Sequence, residues 1–148
     1  MNPTMRRLSS RLGRLSLVVL PVFLLVGCSG AGTASHARPT VVRISERDFR
    51  IVVTPNRIRA GDTELVVRNQ GPDGHELIIV RSHGSRLPVR LDGLTVDEDA
   101  LREVGAVEGV SPRSERRLRL HLAPGRYELF CNMAGHFMAG MSGTLVVQ

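Results

Sequence analysis

The residues from 41 to 148 predict an all-β fold, an antiparallel β-sandwich with one short helix, on three observations. Short runs of alternating apolar and polar residues recur along this stretch. The runs are separated by Gly, Pro, Asn and Asp clusters. One segment alone carries helix signals. Half-buried strands joined by tight turns bury their apolar faces by packing two antiparallel sheets against each other.

Taken in order, Val41 to Val53 alternates through Val42, Ile44, Phe49, Ile51 and Val53, as one long bent strand or a strand pair. Thr54-Pro55-Asn56 turns the chain, Ile58 opens a short strand, and Ala60-Gly61-Asp62 turns it again. Thr63 to Arg68 is rich in β-branched residues, and Asn69 to Gly74 is a loop by composition. His75 then leads into Leu77-Ile78-Ile79-Val80, an unbroken apolar run that reads as a fully buried strand. The helix is expected over 96–104. There Thr95 and Glu98 have the spacing of a capping box, Ala100, Leu101 and Val104 form an apolar face, and Gly105 follows. Leu118, Leu120 and Leu122 alternate with Arg117, Arg119 and His121, a strand with one wet face that carries His121. Tyr127 to Phe130 follows the turn Ala123-Pro124-Gly125, and Gly143 to Val147 closes the chain as the last strand.

Residues 1–27 read as a segment removed in the mature protein. Arg6, Arg7, Arg11 and Arg14 form a basic region, Leu15 to Val26 an apolar one, and Leu25-Val26-Gly27-Cys28 looks like a bacterial lipobox. The apolar run, interrupted by Pro21, is short against the roughly 20 residues needed to span a bilayer. Cleavage before Cys28 leaves that cysteine as the lipid-bearing terminus. Residues 28–40 are small and polar and read as a flexible tether, with His36 a solvated side chain. The domain is then 41–148.

All 20 basic residues are Arg, and the four in 1–27 face no acid there, so the remainder has 16 Arg against 14 acids, a net +2. With five aromatics and no basic-aromatic interleaving, the sequence offers no argument for nucleic acid, and no nucleic-acid partner is expected. Cys131, the second of two cysteines, is left free for a role other than a disulfide.

Cys131, His136 and Met141 place a thiolate, an imidazole and a thioether within eleven residues. Thiolate and thioether are soft donors that hold Cu(I), and imidazole holds either oxidation state. Two His, one Cys and a weak axial Met make a blue-copper site. Gly135 and Gly140 allow the intervening loop to curl around one ion. Cys131 stands at its entrance, His136 in the middle and Met141 at the exit.

The run Pro124-Gly125-Arg126-Tyr127, Phe130-Cys131, Gly135-His136, Gly140-Met141 and Val146-Val147 resembles the C-terminal copper loop of cupredoxins, the plastocyanin and azurin class. Its Cys-x4-His-x4-Met spacing is closest to the rusticyanin and sulfocyanin-like branch. The upstream pattern Gly61-Asp62-Thr63, Asn69 and His75-Glu76-Leu77 is similar to the segment that carries the family's first copper His. The resemblance therefore implies His75 as the second imidazole. His83 is the competitor, but its polar, flexible setting lacks the support a ligand needs. Met133 and Met138 are alternatives for the axial position, or pack around the site. The family's first His is commonly followed by an Asn that ties the two ligand loops together, and Glu76 departs from this.

The resemblance implies a Greek-key β-sandwich, one copper ion cycling between Cu(I) and Cu(II), electron transport, and no enzymatic activity. A multicopper enzyme's His-Cys-His bridge is missing, since Phe130 and Asn132 flank Cys131. The expected protein is a monomer outside the cytoplasmic membrane, at the cell surface or in the periplasm, held by lipid on Cys28. It would meet redox protein partners at an apolar collar of Met133, Phe137 and Met138. Alternatively Phe137 and Met138 fold inward to shield the metal. A different function, copper storage or delivery, would use Met133, Met138 and His136.

Overall fold

The computed structural model describes residues 38–84 and 86–148. The leader at 1–27, Cys28 with its expected lipid, and the tether as far as residue 37 lie outside the described residues. Nine strands follow in order: β1 (Thr40–Arg47), β2 (Arg50–Thr54), β3 (Arg57–Ile58), β4 (Gly61–Asn69), β5 (His75–Ser82), β6 (Glu103–Val110), β7 (Glu115–Leu122), β8 (Gly125–Phe130) and β9 (Ser142–Val147). They form two sheets, ordered β2-β1-β4-β7 and β3-β9-β8-β5-β6. The chain crosses between sheets after β2, β3, β4, β6 and β7, which gives the Greek-key sandwich that the family resemblance implies.

Alternation decides what each strand buries. In β1, Val42 and Ile44 point inward while Arg43 and Arg47 stay wet; in β4, Thr63, Leu65 and Val67 point inward. These residues meet Leu77, Ile79, Leu129, Leu145 and Val147 from the other sheet in one continuous core. Val41 to Val53 is a strand pair, a hairpin whose tip is Asp48-Phe49. Strand β5 has apolar residues on both faces because both are covered. Leu77 and Ile79 enter the main core, while Ile78 and Val80 join Val96 and Phe130 in a smaller cluster on the sheet's outer side.

The helix expected over 96–104 does not form. Glu98–Ala100 makes a single 3-10 turn, and the chain enters β6 at Glu103. Asp97, not Thr95, stands at the turn's start, with no side-chain cap. Sheet formation outweighs a one-turn helical signal here. Leu77, Ile78 and Ile79 pair with Val107, Ala106 and Gly105. Gly105, read from sequence as a helix terminator, is instead a close-approach position. A Cβ there would lie 2.9 Å from Leu120 Cδ2.

Candidate metal centre

Strand pairing closes the gap of 56 residues between His75 and Cys131. Antiparallel β5 and β8 are registered with Ile78 opposite Phe130, so the start of β5 and the end of β8 lie at one end of the sheet. Antiparallel β8 and β9 pair Phe130 with Ser142, which brings Cys131 beside Met141. The loop between them is clamped at its neck, where Cys131 N–H donates to the Met141 carbonyl at 3.2 Å. Met141 N–H in turn donates to the His136 carbonyl at 3.0 Å. Gly135 and Gly140 both have positive φ, 82° and 100°, as the tight curl requires.

His75, Cys131 and His136 each offer a donor atom, and these atoms all lie within 4.8 Å of one another. The Cys131 Sγ to His136 Nδ1 distance is 3.5 Å. A nitrogen at about 2.0 Å and a sulfur at about 2.3 Å from a shared first-row ion, at a tetrahedral angle, are about 3.5 Å apart. The two imidazoles stand edge to face with ring centroids 5.3 Å apart. His75 and Cys131 are buried, and His136 is partly exposed. Both His75 nitrogens are buried without a hydrogen-bond partner. Nε2 lies 3.3 Å from Asp48 Oδ1. Neither nitrogen is satisfied, an arrangement that costs free energy unless something binds there. A metal ion fits this need. Met141 is fully buried at the loop's exit.

Local electrostatics leave the donors in different states. Burial holds the His75 pKa below its usual value and His136 lowers it further, against the opposing pull of Asp48. His75 is therefore neutral at neutral pH, the form that binds metals. Burial pushes the Cys131 thiol up, opposed by the backbone N–H groups of Glu76 and Met133. Glu76 supplies the tie that its departure from Asn put in question. Its Oε1 accepts from the Asn132 N–H at 3.1 Å and so links the strand of His75 to the loop of Cys131. Asn132 extends the link outward. Its Oδ1 accepts from Val96 N–H at 2.6 Å, and its Nδ2 donates to Val96 O at 3.0 Å and to Glu98.

Two neighbours of the site were not singled out in the sequence. Phe49 shares the inward phase of Ile51 and Val53, yet it sits at the hairpin tip with φ of 62°. Its ring meets His136 edge-on at 5.4 Å between centroids, and it remains half exposed. Glu46 is fully buried, with both carboxylate oxygens unpartnered. Burial, aided by Glu76, raises its pKa to about 8. Its signal was in the sequence, since it shares the phase of Val42 and Ile44.

Around the loop, the apolar collar divides. Phe137 packs edge-on against Phe130 at 5.5 Å, whereas Met133 and Met138 are exposed. His83 follows the far end of β5, away from the cluster. His121 is exposed and lies 2.8 Å from Asp62 Oδ1.

No family model matches the sequence, and no curated protein matches it. The fold is that of the cupredoxins. Reduced auracyanin from Roseiflexus castenholzii superposes with a TM-score of 0.56 at 15% identity, over 76% of this chain and 99% of that one. Auracyanin A, a "blue" copper protein from Chloroflexus aurantiacus, gives 0.56 at 18%, over 74% and 99%. Rusticyanin from Thiobacillus ferrooxidans gives 0.53 at 19%, over 74% and 78%.

Proposed function

We propose that this chain is a one-copper electron-transfer protein with a type 1 site made of His75, Cys131, His136 and axial Met141. The observation that carries this reading is the convergence of two imidazoles and a thiol within 4.8 Å on a sandwich end. Copper bound there would supply reversible one-electron chemistry, stabilised as Cu(I) by sulfur and as Cu(II) by imidazole. The protein's part is to hold the donors still. His75 is fixed by β5, Cys131 by the end of β8, and the loop neck by the Cys131–Met141 backbone bond. Donors held in one geometry in both oxidation states leave little to reorganise when the electron moves. The partly exposed His136 offers the electron a short way out.

The reading extends to place. A lipid on Cys28, the cysteine of the lipobox-like run, would tether the domain outside the cytoplasmic membrane. A mature protein that begins elsewhere by mass would remove the anchor without touching the copper assignment.

The test is the visible spectrum of the copper-loaded, oxidised domain. Intense thiolate-to-copper absorption is expected, and Cys131→Ser should remove it while leaving the far-ultraviolet spectrum of a folded sandwich. A colourless protein that binds copper only as Cu(I) and gives it up readily would point to copper delivery instead.

A further inference from the structure

The outer face of the β2-β1-β4-β7 sheet carries arginines in two different settings. On the β7 side they are neutralised. Arg117 lies 3.1 Å from Glu115 and 3.8 Å from Glu64, and Arg119 lies 3.4 Å from Glu64. On the β1–β2 side, Arg43, Arg47 and Arg50 have no carboxylate at ion-pair distance among the described residues. Arg47 and Arg50 are directly opposite each other in the ladder. Like charges in that relation are destabilising. Arg47 Nε donates to Gln70 Oε1 at 3.2 Å, which orients the guanidinium and leaves its terminal nitrogens free. Ser45, Arg47, Arg50, Val52 and Gln70 line a hollow of about 240 Å³. The acid at the hairpin tip, Asp48, is turned toward His75, and its neighbour Phe49 touches His136.

We propose that this face of the β1–β2 hairpin docks an acidic redox protein, whose carboxylates Arg47 and Arg50 engage. The proposal rests on the electron-carrier reading and names the chemistry of its partner. Guanidinium forks match carboxylates bidentately. A carboxylate seated between the two arginines also removes their mutual repulsion, which the free protein bears. The position suits electron exchange, because Phe49 links the hairpin tip to a metal ligand. A lipid surface gains nothing from that proximity.

The probe is a gold electrode coated with a carboxylate-terminated monolayer, with a hydroxyl-terminated one as reference. Adsorbed mass is read on metal-free and copper-loaded protein, and electron exchange on the copper-loaded form. Wild type should adsorb and exchange electrons on carboxylate at low salt and fade as salt rises. R47E/R50E should retain about a tenth or less of the adsorption. The single R50E, which creates an Arg–Glu pair in the ladder and so favours folding, should lose most of it. R57E/R59E, with the same charge change at β3 and the residue that follows it, should keep it. Equal losses in both double variants would reduce the effect to net charge and overturn the proposal. So would unchanged adsorption of R47E/R50E, or equally tight arginine-dependent binding of wild type to phosphatidylglycerol vesicles. Adsorption is read without copper, so absence of a copper spectrum overturns the carrier reading separately.

Discussion

At position 46 a carboxyl group occupies the inward phase that Val42 and Ile44 fill with aliphatic side chains. With its pKa raised to about 8, Glu46 stays protonated in the folded protein at pH 7. Below its unfolded value of about 4.5 both states are neutral, and this group's contribution to stability is fully present. As pH rises toward 8 the unfolded chain ionises while the fold keeps the proton, so stability falls. Metal-free wild type should therefore lose several kcal/mol relative to Glu46→Gln between pH 5 and 8, at about 1.4 kcal/mol per pKa unit. Urea unfolding of both proteins measures this. His75, whose lowered pKa makes stability fall on the acid side, is common to both and cancels in the difference. A constant difference across that range would mean that Glu46 is already ionised in the fold. At the metal, Met141→Gln puts a harder donor on the axis and should lower the reduction potential. Met138→Gln, at an exposed position, should change it far less. Voltammetry giving the opposite order would move the axial role to Met138.

At the scale of elements, the segment from 86 to 101 lies over the outer side of β5 and β8, where Val96 packs with Ile78, Val80 and Phe130. Asn132 fastens it by bonding both backbone groups of Val96. Asn132→Ala leaves that buried N–H and C=O unpaired, so it should cost about 2–3 kcal/mol. Thermal unfolding should register the loss, and limited proteolysis should show earlier cleavage within 86–101. Unchanged protection would mean that the apolar cluster alone holds the segment. The same segment explains the missing helix. Thr95, Glu98 and Gly105 satisfy a local capping rule, but β6 gains a ladder with β5 and a close approach to Leu120. Strand pairing over eight residues outweighs one capped turn.

For the whole molecule, metal binding and proton release are coupled. Burial keeps the Cys131 thiol protonated in the metal-free protein, and a bound ion requires the thiolate. Copper uptake should therefore release a proton, and affinity should rise with pH by up to about tenfold per unit. Competition titrations at pH 6 and pH 8 would show it. A pH-independent affinity would exclude Cys131 as a ligand. Metal should also raise the unfolding midpoint, because only the folded chain brings β5 and the β8–β9 loop together.

The sequence by itself determined the sandwich, the strand phases and the donor types in Cys131-x4-His136-x4-Met141, because alternation and side-chain chemistry are local properties. It also indicated His75 over His83, through the loop-to-strand junction and a family likeness. Tertiary structure alone decided that Glu76 replaces the usual tie by accepting from the Asn132 N–H, and that residues 103–110 pair as a strand. It alone placed Phe49 against His136 and Asp48 against His75. These contacts join residues from distant strands. Their partners are set by sheet register and by which ends of the sandwich coincide, and no local pattern in the chain encodes them.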